Sequence, residues 1–411
     1  MIKADLLVRN IGELITLSQG PYRRISLENA GIVKNAAVAY RGGKIIWVGP
    51  EADMPLVDAE HVVDAEGRVA TPSFVDSHTH PVFVGDRSWE LWMKLEGKSY
   101  LEILESGGGI NYTVRMTRSA SFEELEASML RNIMLMLRSG TTLVEAKTGY
   151  DLTVWGELRL LKVIMKNKIN MKNKVEIIPT LLAHIVPQEY FERRKEYILM
   201  FTEELVPRAA ASGAVFLDVF CDKGAFSVDE TRHILEAGLR HGLKLRLHSD
   251  ELSNIGCSKL ALEYTLYSID HLEYLPQSII PYLAERRTVA TLLPTSMLSV
   301  FSDKKPPVRD LIRNGVYIGL ATDFNPNNMT PSMKTVFELS VYLYMLTPIH
   351  ALAASTVNAA YSLGLENEYG SVKPGSKSGI ILWEASTARE LGYKWGFENT
   401  QLVLPSIASN E

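Results

Sequence analysis

Eight short apolar runs, separated by longer segments that mostly read as helices, constrain this chain more than any other feature. The runs are Ala70 to Val75, Thr142 to Ala146, Glu176 to Leu182, Phe216 to Phe220, Lys244 to Leu247, Ser268 to His271, Thr288 to Leu293 and Tyr317 to Ala321. Helix-like segments lie among them at Ser121 to Ser139, Trp155 to Lys168, Gln188 to Ala211, Ser227 to His241 and Lys259 to Leu266. A short buried run bounded by an amphipathic segment is one strand–helix unit. Eight units over about 290 residues fit an α/β fold of the (β/α)8 TIM-like barrel type, whose usual length is roughly 250 residues or more. The competing arrangement is a doubly wound open sheet. No glycine-rich phosphate fingerprint follows the first run, which weakens that alternative. Gly107-Gly108-Gly109 follows a helical stretch and lacks a Gly-Lys-Ser/Thr ending, so it reads as a flexible loop.

Both ends of the chain read differently from the middle. Asp5 to Arg9, Ala36 to Tyr40, Lys44 to Val48 and His61 to Asp64 are short β-rich runs, with turns at Arg41-Gly42-Gly43 and Glu66-Gly67. Ile380 to Trp383 and Thr400 to Leu404 are strands of the same kind. The ends have no partner in the middle, so residues 1–70 and 370–411 are expected to pack together as a small β-sandwich domain. The barrel then occupies 71–369.

Composition narrows the class. The chain has 411 residues, 46% of them hydrophobic, which is ample for a large core. A charged fraction of 22% and a net charge of −5 argue against nucleic acid as a partner. No apolar stretch is long enough to span a bilayer, and the first residues lack the apolar core of a secretory signal. The two cysteines, Cys221 and Cys257, make a disulfide framework improbable and a cytoplasmic setting natural. Cys221 itself reads as a small core residue, since no activating partner is evident.

Barrel chemistry sits where strands end. The first run ends in His78-Thr79-His80, and side chains two apart on an extended strand project to one side. The later runs close on Glu145 and Lys147, on His184, on Asp218 and Cys221, on His248 and Glu251, on Asp270 and His271, on Thr295 and Ser296, and on Asp323 and Asn325. Five of the nine histidines fall at these ends, and a scattered set would not cluster so. His78, His80 and His248 with Asp323 suit one divalent metal, Zn²⁺ or Fe²⁺, with a position left for water. The metal lowers that water's pKa toward ~7. Glu251 lies close enough in sequence to shuttle protons, and His271 can orient the same water. His61, His233, His241 and His350 read as ordinary polar residues. Lys147 has two readings, a metal-bridging carbamate or a buried lysine paired with Glu145.

These residues resemble the amidohydrolase superfamily in its mononuclear pattern. Ser77-His78-Thr79-His80-Pro81-Val82-Phe83-Val84-Gly85-Asp86-Arg87, Glu145 to Tyr150, His248 to Asn254, Asp270 to Tyr274 and Ala321-Thr322-Asp323-Phe324-Asn325-Pro326 narrow the likeness to its imidazolonepropionase family, over nearly the whole chain. The resemblance implies hydrolysis of the ring amide bond of 4-imidazolone-5-propanoate to N-formimidoyl-L-glutamate, a step of histidine degradation. The alternative is a deaminase or cyclic amidohydrolase acting on another nitrogen heterocycle. The resemblance also implies metal ligands at His78, His80, His248 and Asp323, proton transfer at Glu251 with His271 beside it, and substrate contacts at Arg87, Tyr100, Tyr150, His184 and Asn325. A homodimer is the expected assembly. Two departures leave a shifted specificity open. Asn327-Asn328 stands where the family has a small pair such as Gly-Ser, and Leu182-Ala183-His184-Ile185 stands where it has Gly-Ala-His-Ala.

Overall fold

The computed structural model describes residues 1–404, and of Tyr100 and Leu101 the backbone alone. Five strands come first: β1 (Ile2–Ile15), β2 (Ile32–Arg41), β3 (Lys44–Pro50), β4 (Val57–Asp64) and β5 (Val69–Pro72). Eight more follow: β6 (Phe74–Asp76), β7 (Thr141–Lys147), β8 (Glu176–Ala183), β9 (Phe216–Cys221), β10 (Lys244–Ser249), β11 (Leu266–His271), β12 (Val289–Leu292) and β13 (Tyr317–Leu320). The described chain ends with β14 (Ile380–Trp383) and β15 (Thr400–Val403).

Strands β6 to β13 lie side by side in chain order, all parallel, as a TIM-like barrel. Strands covered on both faces carry side chains that leave water entirely, and every residue of β7 and β9 is buried. Between β13 and β6 the ring is bridged just past the strand ends. The Asp323 amide donates to the His78 carbonyl at 3.1 Å, and the His80 amide donates to the Phe324 carbonyl at 2.8 Å. Helices surround the barrel, and their starts are written in the sequence. Ser121 with Glu124 and Ser227 with Glu230 form reciprocal caps ahead of Phe122–Arg138 and Val228–Arg240.

The other seven strands form one continuously bonded sheet in the order β15-β14-β5-β1-β2-β3, with β4 also on β1. The 14-residue β1 serves two parallel partners, β4 along Ile2 to Arg9 and β5 at Glu13 and Leu14. Both chain ends thus meet in one sheet, since β14 pairs antiparallel with β5. An aromatic cluster joins this sheet to the barrel. The ring of Phe74 meets Trp383 edge-on at 6.2 Å, and Phe337 packs on both.

Four local expectations change. The run Ala70 to Val75 is not one barrel strand: it divides at Ser73, whose amide donates to the Gly379 carbonyl, into β5, which lies between β1 and β14 in the sheet of the chain ends, and β6, which opens the barrel. The segment Gln188 to Ala211 is not one helix: a 3-10 turn, an α-helix, a π-turn and a second α-helix follow one another, with Pro207 in the first turn of the last. Proline lacks the N–H that a continuous helix needs. The long first βα connection, unassigned from sequence, holds α1 (Ser88–Leu95), α2 (Tyr100–Glu105) and α3 (Ile110–Ser119). Its glycines form an ordered turn rather than a free loop. A Cβ on Gly108 would lie 2.9 Å from the Glu90 carboxylate, and Gly109 enters α3 at φ 74°. Finally, Cys221 and Cys257 are joined as a disulfide. Register brings them together, because β9 and β10 pair so that Cys221 lies beside Ser249, ahead of the loop that carries Cys257. Two cysteines 36 residues apart gave no sign of this in sequence.

Candidate metal centre and active site

The site starts from the extended backbone that continues β6. Asp76 points down and accepts from the Thr322 hydroxyl at 2.6 Å, while burial pushes its carboxyl up to about 7 against those hydrogen bonds. Thr79 turns away and donates to the Glu145 carbonyl at 2.6 Å. His78 and His80 therefore share one side, with ring centroids 5.4 Å apart. His248 brings its ring to 4.3 Å from His78, and His271 lies 5.3 Å from His248. From the far side of the seam, an Asp323 oxygen lies 3.5 Å from His78 Nε2 and 3.3 Å from His80 Nε2.

A lower layer fixes the rings. His78 Nδ1 lies 2.7 Å from Asp270, which also accepts from the buried Arg246. His248 Nδ1 lies 3.0 Å from Asp218. Lys147 donates to Asp218 at 2.7 Å and to Glu145 at 2.8 Å, with no exposed surface. These contacts are the ones expected of the second reading, a buried lysine paired with Glu145, with Asp218 as a further partner. With both Nδ1 atoms engaged, the Nε2 atoms of His78 and His248 are the ones left to ligate. His78 Nε2 is buried without a hydrogen-bond partner. Such carboxylate-backed imidazoles are the usual arrangement behind a metal ion.

Electrostatics agree. Burial holds His78 well below the ordinary imidazole range, and Lys147 adds to it. Burial also draws down His80, against the pull of Asp323, and takes His271 and His184 to about 3. Neutral imidazoles are the form that ligates metals. For Asp323, burial works upward, but the hydrogen bond and charge of His80 outweigh it and hold the carboxyl below its usual range. The donor atoms of His78, His80 and Asp323 lie within 4.8 Å of one another, as do those of His78, His248 and His271. This donor set fits one divalent cation.

Above lies a cavity of ≈ 590 Å³ lined by His80, Tyr150, His184, His248, Glu251, His271 and Asp323, among others. Glu251 places an oxygen 3.7 Å from His271 Nε2. Burial pushes its carboxyl well above the ordinary range, with Asp323, Glu273 and Asp222 adding to it. Tyr150 packs edge-on against His184 at 5.2 Å, and His184 Nδ1 meets the Gly149 carbonyl at 3.0 Å. Asn325 lines the cavity too, yet its amide is used within its own turn, donating to the Asp323 carbonyl and accepting from the Asn327 and Asn328 amides. Arg87 reaches the wall with Nε and Nη2 both on Glu90 at 2.8 Å. The side chain of Tyr100 lies outside the described residues.

Sequence reasoning missed several members. Asp218 and Asp270 were visible as strand-ending carboxylates, but their hold on the histidines needs the register that sets Arg246 beside Asp218 and His248 beside Asp270. Glu90 had a signal, three residues past Arg87 in the first turn of α1. Asp222 had none. It accepts from the Glu251 and Leu252 amides at 2.9 Å each and from the Ser253 hydroxyl at 2.6 Å, and so sets the turn that carries Glu251.

The amidohydrolase family model matches residues 69–403. The chain is 39% identical over 393 residues to imidazolonepropionase from Pyrobaculum arsenaticum, covering 95% of this chain and 96% of that one. It is 40% identical over 396 residues to the enzyme of that name from Deinococcus radiodurans, covering 96% of each. Among solved structures it superposes with TM-score 0.70 on an adenosine deaminase from Xanthomonas campestris with bound zinc, at 17% identity, covering 98% of this chain and 92% of that one. N-isopropylammelide isopropylaminohydrolase from Burkholderia multivorans gives TM-score 0.71 at 19% identity, covering 98% and 97%. At those identities the likeness is one of fold.

Proposed function

The chain belongs to the imidazolonepropionase family of amidohydrolases, and from that premise we propose how its own residues divide the work. The reaction is hydrolysis of the ring amide of 4-imidazolone-5-propanoate to N-formimidoyl-L-glutamate in histidine degradation. The observation that carries this is identity of 37–40% to enzymes of that name over nearly the whole chain.

His78, His80, His248 and Asp323 would hold one divalent ion, Zn²⁺ or Fe²⁺. The support is the carboxylate-backed imidazoles of His78 and His248, the burial that keeps His78 and His80 neutral, and the converging Asp323 oxygen. When bound, such an ion acts as a Lewis acid toward the carbonyl and makes water a stronger acid. Glu251, whose burial raises its hold on a proton, takes one from the attacking water and delivers it to the ring nitrogen as the C–N bond breaks. His271, with Nε2 3.7 Å from the carboxyl of Glu251, orients that carboxyl and the attacking water. His184, neutral with its Nδ1–H on the Gly149 carbonyl, presents Nε2 as an acceptor toward a ring N–H, while Tyr150 packs beside it. Arg87 and Asn325, which line the same cavity, complete the contacts to the substrate, with Arg87 on the side of the acid tail; the expected contact at Tyr100 falls outside the described side chains.

We take residues 1–70 with 370–411 as a β-rich domain, folded as a sandwich about β1, beside the barrel of 71–369. The support is one core in which Leu6, Val8 and Ile11 pack with Val372, Ile380 and Val403, and residues 405–411 lie outside the described part. A cytoplasmic homodimer remains the family's expectation. A covered face is supported by Tyr393, Trp395 and Phe397, apolar side chains 53–77% exposed. No helix among the described residues is long and apolar enough to cross a membrane.

An assay of the purified protein with imidazolone propionate beside a panel of cyclic ureas and aminopyrimidines tests the function. Turnover of the acid is the expected result. Turnover of a neutral heterocycle alone would return the deaminase alternative, which is not favoured.

A further inference from the structure

Resting on that reading, the question is which charge meets the acid tail. A carboxylate in a partly buried wall needs a net positive partner. Arg87 does not supply one alone. Its Nε–Nη2 edge is filled by Glu90, whose side chain is 2% exposed and also takes the Gly109 amide at 2.8 Å, so the pair is neutral. Lys98 also lines the cavity but is exposed and pairs with Glu102. Lys94 remains. It is half-buried on α1, and among the described residues no carboxylate lies within ion-pair distance of it.

Its position is fixed from the opposite side of the cavity. Lys94 Nζ donates to Asn327 Oδ1 at 2.7 Å and to the Ser299 carbonyl at 3.2 Å, which leaves one of its three N–H groups unassigned. Asn327 is itself pinned. Its amide donates to Asn325 Oδ1 at 2.8 Å, and its side-chain nitrogen donates to Ser299 Oγ at 3.1 Å. Asn325 sits two residues past Asp323, so the wall is tied to the metal side of the site. Behind it lies a second cavity of ≈ 480 Å³, and Arg87, Lys94, Phe301 and Asn327 line both spaces.

We propose that Lys94, held by Asn327, receives the tail carboxylate and makes the partition that sets tail length. The side chain of Asn327 stands between the two cavities together with those of Arg87, Lys94 and Phe301, and its loss would thin the partition without removing a charge. A tail one methylene longer meets the partition in this chain and passes it once the partition is thinned. Burial, followed by the charge of Arg87, already pulls the Lys94 ammonium down from its usual range, as expected of a cation waiting for an anion.

The test uses the metal-loaded enzyme with imidazolone propionate, its propionamide and the butanoate homologue. Lys94→Met is expected to raise KM for the propionate at least tenfold, with kcat within about threefold, unchanged metal content and unchanged KM for the propionamide. Lys94→Arg should recover part of the loss. Asn327→Gly should raise the butanoate-to-propionate ratio of kcat/KM at least fivefold. An equal effect of Lys94→Met on acid and amide, or an unmoved ratio in Asn327→Gly, would overturn the proposal. Calorimetric binding of 3-(imidazol-4-yl)propanoate, which is not hydrolysed, separates this from the reaction. If the wild type turns over no imidazolone, the functional reading fails, and the proposal then stands or falls on whether Lys94→Met weakens this acid but not its amide.

Discussion

The floor of the site and its outer wall are built in different ways. The floor is strand-borne: His78, His80, His248, His271 and Asp323 stand at or just beyond the ends of β6, β10, β11 and β13, backed by Asp218, Asp270, Lys147 and Arg246 one layer down. The wall is borne by short helices and loops: Arg87 and Glu90 at the start of α1, Lys94 near its end, and Asn327 in a turn. Residues on neighbouring strands are fixed by register, so the floor can hold its geometry to a fraction of an ångström. The wall depends on side-chain hydrogen bonds between separate segments. The difference teaches where each kind of change acts, with chemistry altered from below and substrate choice altered from above.

The largest effect should come from the floor. In His248→Ala, elemental analysis should find about one metal per chain falling to near none, with activity lost. Full metal retention would break the assignment of the floor. Next is Glu251→Gln, which keeps the shape and removes the proton carrier. Turnover should fall by ~10²–10⁴-fold while the metal stays bound, and near-normal turnover would pass the role to another group.

The disulfide tests whether the Glu251 turn belongs to the floor. It closes a loop of 36 residues, for which loop-closure entropy allows a stabilisation of roughly 4 kcal/mol at most. The pair Cys221→Ser and Cys257→Ser should lower stability by about 2–4 kcal/mol in denaturant titrations. Turnover should change far less, because Asp222 still holds the turn. Asp218→Asn probes the lower layer. Metal affinity should weaken by about 10–100-fold in competition with a chelator, the usual cost of losing such a partner.

The smallest effect lies away from both regions. His350 is buried, and burial draws its imidazole down to about 4. The unfolded value is ~6.5, so the unfolded chain binds the proton more readily. Stability from this group is full above about pH 6.5 and is lost as pH falls toward 4. Between pH 6.5 and 5.5 the loss should be on the order of 1 kcal/mol, and His350→Gln should flatten that part of the profile.

The same division explains what the sequence could tell. The floor was legible because strand ends carry period-two patterns, so His78 and His80 announce a shared side and each later run ends on its own polar residue. The wall was not, because α1 to α3 sit in a long connection with weak periodicity, and the Arg87–Glu90 and Lys94–Asn327 bonds depend on tertiary approach. The disulfide and the Asp222 turn fall in the same class. At the chain ends, parts of β1 to β4, β14 and β15 were readable, but β5 was run together with the first barrel strand because both are short and apolar, and the double pairing of β1 was not readable, since one strand cannot declare two partners.

The seam of the barrel has a further consequence. The first and last strands of the ring meet through the Asp76–Thr322, His78–Asp323 and His80–Phe324 contacts, across as many as 246 residues of chain. Closing the ring and completing the donor set are therefore one event in the life of the molecule. A nascent chain that has emerged only as far as β12 owns three of the four proposed donors. The fourth arrives with the strand that closes the ring, so a complete donor set is the mark of a closed barrel.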